Sequence, residues 1–240
     1  MKLKYILFPL LLVFYFIFYQ LNILDVSSDV FYDNSNKLWA HRILDPQKVN
    51  DLKEEFIGYE IDVFFNNDKN IFDVRHHGVT NDIDLVTFLN EIENLHLIKF
   101  WIDFKNLNSS NVESAIFTLD KIALEFDVKS NIIIESKNIN LLSAFKSKGF
   151  FISYWLPSFH VFKSVFNILN IRDDLRKYKP NAISMPYSSV LFYSKKFPNY
   201  PLHCWTNEMT SDLDKIKIKK LSKKNNVKII LTDFKNNFLK

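Results

Sequence analysis

Gly58-Tyr59-Glu60-Ile61-Asp62-Val63 sets two carboxylates two residues apart in an apolar run. On a strand, alternate side chains share a face, so Glu60 and Asp62 point one way while Ile61 and Val63 point the other. Asp103-Phe104-Lys105 repeats the spacing at the end of a later apolar run, and His41-Arg42 closes an earlier one. Acids, bases and histidines at successive strand ends suit a divalent cation and a phosphate. A buried ion pair of Glu60 or Asp62 with Arg42 or Lys105 is the competing structural reading, because an interior carboxylate must be paired or ligated.

Working outward, strand-like runs alternate with helical patterns. Strands are expected at about Leu38–Ile43, Tyr59–Phe65, Ile98–Phe104, Asn131–Glu135, Phe150–Leu156, Ala182–Met185, Pro201–Trp205 and Val227–Thr232. Ile71–Arg75 reads as a short strand returning from the turn-rich cluster Asn66–Asn70. Helices are expected from Pro46, over about Ile83–Glu93, Ser109–Phe126, Asn138–Lys148, 159–178, Ser189–Lys196 and Ser211–Asn225. This alternation predicts an α/β protein with a parallel sheet. Eight repeats predict a (β/α)8 TIM barrel whose final helix is missing, with its active site at the C-terminal strand ends. An open, doubly wound sheet is the alternative, but no Gly-rich phosphate loop supports it.

Length and composition suit one large globular domain or two small ones. Phe, Asn and Lys are abundant and Gly occurs only three times, which reads as compositional bias of the gene. The net charge of +4 is mild and concentrated near Lys215–Lys228, so nucleic-acid binding is not expected. Cys204 is the lone cysteine, which excludes an intrachain disulfide and a cysteine metal cluster.

Lys2 and Lys4 precede an uncharged run, Tyr5–Tyr19, whose apolar character continues to Leu24. As a helix it is about long enough to cross a bilayer, and no small-residue cleavage site is evident. Residues 1–24 are therefore expected to be an uncleaved signal anchor, 25–36 a polar tether and 37–240 the barrel. The lysine placement puts the domain on the extracytoplasmic side of a membrane. Signal cleavage, giving a secreted or periplasmic domain, is the alternative.

Among the chemical candidates, Glu60, Asp62 and Asp103 offer hard oxygen ligands for Mg²⁺ or Ca²⁺. His41 is a general acid or base candidate, and Arg42 and Lys105 can neutralise phosphate oxygens. His76 and His77 follow the hairpin, and one of them can face the site. Glu135 is either a supporting group or a salt-bridge partner. Trp205 either walls a substrate pocket or packs in the core. His203 reads as structural, His96 and His160 as surface or packing residues, and Asp233 as a helix-cap-like or rim residue.

His41-Arg42, Glu60-Ile-Asp62-Val, a hairpin ending in histidine, and Ile102-Asp103-Phe-Lys105 together resemble the glycerophosphodiester phosphodiesterase family. Trp205-Thr206-Asn207 and Ile230-Leu231-Thr232-Asp233 are similar to two later segments of that family, so the resemblance runs from about Leu38 to Phe234. It implies cation ligation by Glu60, Asp62 and Asp103, acid–base roles for His41 and His76, and phosphate contacts from Arg42 and Lys105. It also implies cleavage of glycerophosphodiesters, or of phospholipid-derived head groups, by a metal-dependent phosphoric diester hydrolase. Ile43 stands where the family usually has Gly, and His77 where it generally has Asp. The subdomain that the family inserts after the hairpin is absent. That short form also resembles venom phospholipases D, which leaves open a lyase forming cyclic phosphates. An inactive barrel binding a phospholipid or sugar phosphate, and a purely structural envelope protein, are the non-enzymatic alternatives.

Overall fold

The computed structural model describes residues 31–32, 36–76, 83–157, 164–206 and 211–233. The period-two runs form β1 (Leu38–Ala40), β2 (Gly58–Asn66), β3 (Ile71–Val74), β4 (Lys99–Phe104), β5 (Ile132–Ser136), β6 (Phe151–Trp155), β7 (Ala182–Pro186), β8 (Leu202–Trp205) and β9 (Val227–Thr232). Between them lie α1 (Pro46–Leu52), α2 (Leu85–Asn90), α3 (Val112–Glu125), α4 (Ile139–Ser147), α5 (Ser164–Tyr178), α6 (Val190–Lys196) and α7 (Asp212–Ser222). All strands but β3 are parallel and hydrogen-bond in the order β1-β2-β4-β5-β6-β7-β8-β9, and β9 pairs back onto β1. The sheet is thus a closed eight-stranded (β/α)8 barrel. β3 pairs antiparallel with the upper part of β2, from Val63↔Val74 to Asn66↔Ile71.

Local chemistry sets several element ends. Pro46 starts α1 behind Asp45, whose carboxylate accepts from the Gln47 amide. Ser211 and Asp214 form a reciprocal capping box at the start of α7. β1 stops at Ala40 rather than reaching Ile43, because Arg42 adopts a left-handed backbone (φ 56°) that turns the chain away. α2 ends at Asn90, short of the expected Glu93, and a 3₁₀ turn at Leu95–Leu97 follows Asn94, which is also left-handed.

Alternation along the strands makes two cores. Outward positions such as Ile61, Val63, Ile102, Phe104 and Ile134 pack against Phe88, Leu119, Leu142 and Phe145 of the helices. Inward positions supply Trp39, Trp101, Ile133, Ile229 and Leu231, which fill the barrel itself. Gly58 lies beneath Trp39, where an added Cβ would come within 2.1 Å of the indole. Only glycine permits that approach.

Two residues of the polar segment expected to be a tether, Phe31 and Tyr32, close this barrel from below. Phe31 packs on Phe151 with ring centroids 4.5 Å apart, and the Lys99 ammonium donates to the Phe31 carbonyl. The Tyr32 hydroxyl bonds His203 Nε2 (2.9 Å), while His203 Nδ1 meets Ser153 Oγ (3.0 Å). Burial pushes His203 down to about 3, so the ring is neutral and structural, as the sequence suggests. Phe31 and Tyr32 fill the open lower mouth with aromatic area, which the polarity of their neighbours conceals in the sequence.

The apolar run of residues 1–24 and the seven residues after Asp233 lie outside the described residues. Among the described residues, no helix is long and apolar enough to cross a membrane.

Candidate active site

Sheet register gathers the acids. Asp62 pairs with Asp103, and Asp103 with Glu135, so three carboxylates occupy one rung at the C-terminal end of β2, β4 and β5. Glu60 lies one layer lower, opposite Trp101. All four side chains are buried. Glu60, Asp62 and Asp103 each offer an oxygen within 4.8 Å of the others.

Lys105 is the nearest counter-charge. Its Nζ lies 2.5 Å from Asp62 Oδ1 and also pairs with Asp103. Burial alone would lower the Lys105 pKa, but Asp103, Asp62 and Glu60 outweigh burial and hold it above the usual lysine range. One ammonium does not balance four buried carboxyls. Burial and the neighbouring Asp62 and Asp103 raise Glu60 well above the usual range, and burial and Asp103 do the same to Glu135. Burial pushes Asp103 up to about 6 against the pull of Lys105. Asp62 Oδ2, Asp103 Oδ1 and Glu135 Oε1 are buried and accept no hydrogen bond. Orphaned hard oxygens beside a charge excess fit a divalent cation held by Glu60, Asp62 and Asp103.

The basic groups surround this cluster. The Arg42 amide, not its guanidinium, donates to Glu60 Oε2 (2.6 Å), leaving the exposed side chain at the rim. The left-handed turn at Arg42 makes this contact possible and costs about 1–2 kcal/mol. His41 has a nearly buried side chain with Nδ1 3.5 Å from Asp233 Oδ1, across the β1–β9 seam. His76 Nε2 lies 3.9 Å from Asp62 Oδ2. His77 lies outside the described residues, as do His160 and Asn207. The open cleft over the site has a volume of about 450 Å³.

Every described site candidate borders this cleft: His41, Arg42, Glu60, Asp62, His76, Asp103, Lys105, Glu135 and Trp205. Glu135 accepts from the Trp101 indole (3.1 Å) and forms no ion pair among the described residues. Trp205 is both wall and packing: it stands edge-on to Trp155 at 5.1 Å and touches the inner core. Asp233 is exposed at the rim, with its carboxylate 3.5 Å from His41 Nδ1. His96 is exposed on the surface.

Sequence reading missed Trp155 and Lys137. Lys137 Nζ lies 3.9 Å from the Trp155 ring centroid, and Lys105 Nζ lies 5.6 Å from it. A signal was present, since Glu135-Ser136-Lys137 repeats the acid-x-Lys spacing of Asp103-Phe104-Lys105.

No protein-family model matches the sequence, and no curated protein matches it either. Solved structures do. A glycerophosphodiester phosphodiesterase from Parabacteroides distasonis is similar with a TM-score of 0.65 and 14% identity, over 84% of this chain and 94% of that one. A glycerophosphoryl diester phosphodiesterase from the same organism is similar with a TM-score of 0.52 and 10% identity, over 90% of this chain and 92% of that one. The likeness is one of fold, along most of both chains.

Proposed function

We propose that this barrel is a divalent-cation-dependent phosphodiesterase that cleaves glycerophosphodiesters or phospholipid-derived head groups. Its N-terminal segment would hold it on the extracytoplasmic side of a membrane. One observation carries the reading: buried Glu60, Asp62 and Asp103 share the catalytic end of the barrel with Lys105, between two histidines.

Glu60, Asp62 and Asp103 would hold Mg²⁺ or Ca²⁺. The bound ion would orient the phosphate and lower the pKa of an attacking hydroxyl. Lys105 and Arg42 can meet the remaining phosphate oxygens, where charge builds in the transition state. Asp233 Oδ1, 3.5 Å from His41 Nδ1, can orient the ring so that Nε2 exchanges a proton. His76, beside Asp62, is the second proton carrier, so that one ring takes the proton of the nucleophile and the other protonates the departing alcohol. Trp155 and Trp205 offer an aromatic wall to the part of the substrate beyond the phosphate.

The test is alcohol release from a phosphodiester panel by the full-length chain, with and without chelator. Activity should vanish with chelator, return with Mg²⁺ or Ca²⁺, and be lost in a folded Glu60→Gln variant. Unchanged turnover under chelation would overturn the cation assignment. No turnover of any diester would favour a binding barrel. Accumulation of a cyclic phosphate before any phosphomonoester would identify a substrate hydroxyl as the nucleophile.

A further inference from the structure

The barrel floor, at the N-terminal strand ends, is sharply divided in charge. Lys146 stands in the last turn of α4, Arg176 and Lys177 in that of α5, Lys195 and Lys196 in that of α6, and Lys219 and Lys220 in that of α7. The last turns of α1, α2 and α3 hold no basic residue. The residues just after them include Glu54 and Glu55, Glu91 and Glu93, and Asp127, and the basic groups among them, Lys53 and Lys129, are paired with Glu93 and Asp120. Basic residues at helix C-termini complement the helix dipole. That explanation applies equally to all seven helices and does not account for a pattern confined to four neighbours. Between Lys137 and Thr206 the only acids are Asp173 and Asp174. A floor pocket of about 510 Å³ adds Lys223, Lys224 and Lys228, with Tyr200 and Asn226, on the same side.

The chain itself enters at this floor. Phe31 and Tyr32 are packed into it, and residues 25–30 are all that separate them from the apolar run ending at Leu24. Six extended residues reach about 20 Å at most. If residues 1–24 lie in a bilayer, the floor, not the catalytic mouth, must lie next to it.

We propose that the basic half of the floor is a docking surface for an anionic bilayer, resting on the anchor reading given under Proposed function. The lipid that carries the chain would seat the floor, and the cleft at the opposite end would open to water. The substrate then reaches the site dissolved, as a deacylated glycerophosphodiester, and not as a phospholipid of the membrane underneath.

The test reconstitutes the full-length chain into vesicles of phosphatidylcholine alone, or of phosphatidylcholine mixed with phosphatidylglycerol. A fluorophore is placed at the floor by Lys148→Cys, or at the mouth end of α4 by Asn140→Cys; the native Cys204 is buried. Energy transfer to a head-group dye should be strong from the floor label and weak from the mouth label. It should be strongest on the anionic vesicles and fall as salt is added. Reversing Lys195, Lys196, Lys219 and Lys220 to Glu should remove the preference for anionic vesicles without changing turnover of a soluble glycerophosphodiester. Equal transfer from both labels, or turnover of phospholipid in the carrying vesicle, would overturn the proposal. Release of a chain lacking residues 1–24 from neutral vesicles would instead overturn the anchor alone. The released form then decides the floor. It should sediment with anionic vesicles only, and the four reversals should weaken that partition at least ~10²-fold, since each lysine near such a surface is worth roughly five-fold. Indifference of the released form to lipid charge would overturn the floor as well.

Discussion

At the mouth of the barrel, the inward positions of β2, β4 and β5 are Asp62, Asp103 and Glu135. One layer towards the floor, the same strands carry Glu60, Trp101 and Ile133. Still lower, Phe31 and Phe151 stack against one another and His203 is locked between Tyr32 and Ser153. A single alternation therefore builds both ends. At the floor, apolar area and satisfied polar groups make the interior stable. At the mouth, buried carboxyls keep unpaired oxygens, which is costly to the fold and useful for holding a cation. Stability and chemistry are separated along the barrel axis.

Substitutions at the two ends should then move different observables. The largest effect is expected from His41→Ala, which should lower turnover by ~10²–10⁴-fold while leaving thermal stability and cation affinity nearly unchanged. A comparable fall in melting temperature would blur the distinction between mouth and floor. Trp101→Ala at the inner core should cost about 3–5 kcal/mol of unfolding free energy in denaturant titrations. Gly58→Ala should destabilise by about 1–3 kcal/mol, because the new methyl meets the Trp39 ring, and Gly58→Ala with Trp39→Leu should recover part of that loss.

The last of these effects depends on pH. His203 is depressed to about 3 in the fold against an ordinary value of 6.5, so between these values the unfolded chain binds the extra proton. Its contribution to stability is complete above pH 6.5 and is lost as pH falls towards 3. By pH 5 the loss should be about 2 kcal/mol. Unfolding free energies measured across this range should show that slope, and His203→Gln should flatten it. An unchanged slope in that variant would locate the acid sensitivity elsewhere.

The strands and the inward direction of Glu60, Asp62, Asp103 and Lys105 were legible because period two is a local property of the chain. Eight alternations sufficed for the barrel, and capping residues placed most helix starts to within a few positions. What depended on sheet register was not legible. Nothing in the sequence aligns Asp62, Asp103 and Glu135 on one rung, or brings Asp233 to His41 across the seam where the last strand meets the first. Trp155 reads as the end of an apolar strand, and only the neighbouring Trp205 and Lys137 reveal it as part of the cleft. Phe31 and Tyr32 were hidden for the opposite reason. Two aromatics in a polar, aperiodic stretch carry no pattern, and their role exists only once a hollow floor is there to fill.

The hydrogen bond from the Trp101 indole to Glu135 joins the inner core to the acid rung. Its consequence is optical. Indole emission responds to nearby charge, and this indole is fully buried, with a carboxyl on its only donor. A cation that ionises the acid rung alters that charge, so the intrinsic fluorescence of the protein should follow cation titration without an added dye. Of the four tryptophans, Trp101 is the one whose replacement by Phe should remove most of that signal while Trp39, at the floor, continues to emit. The barrel thus carries its own reporter at the junction between its stable end and its reactive end.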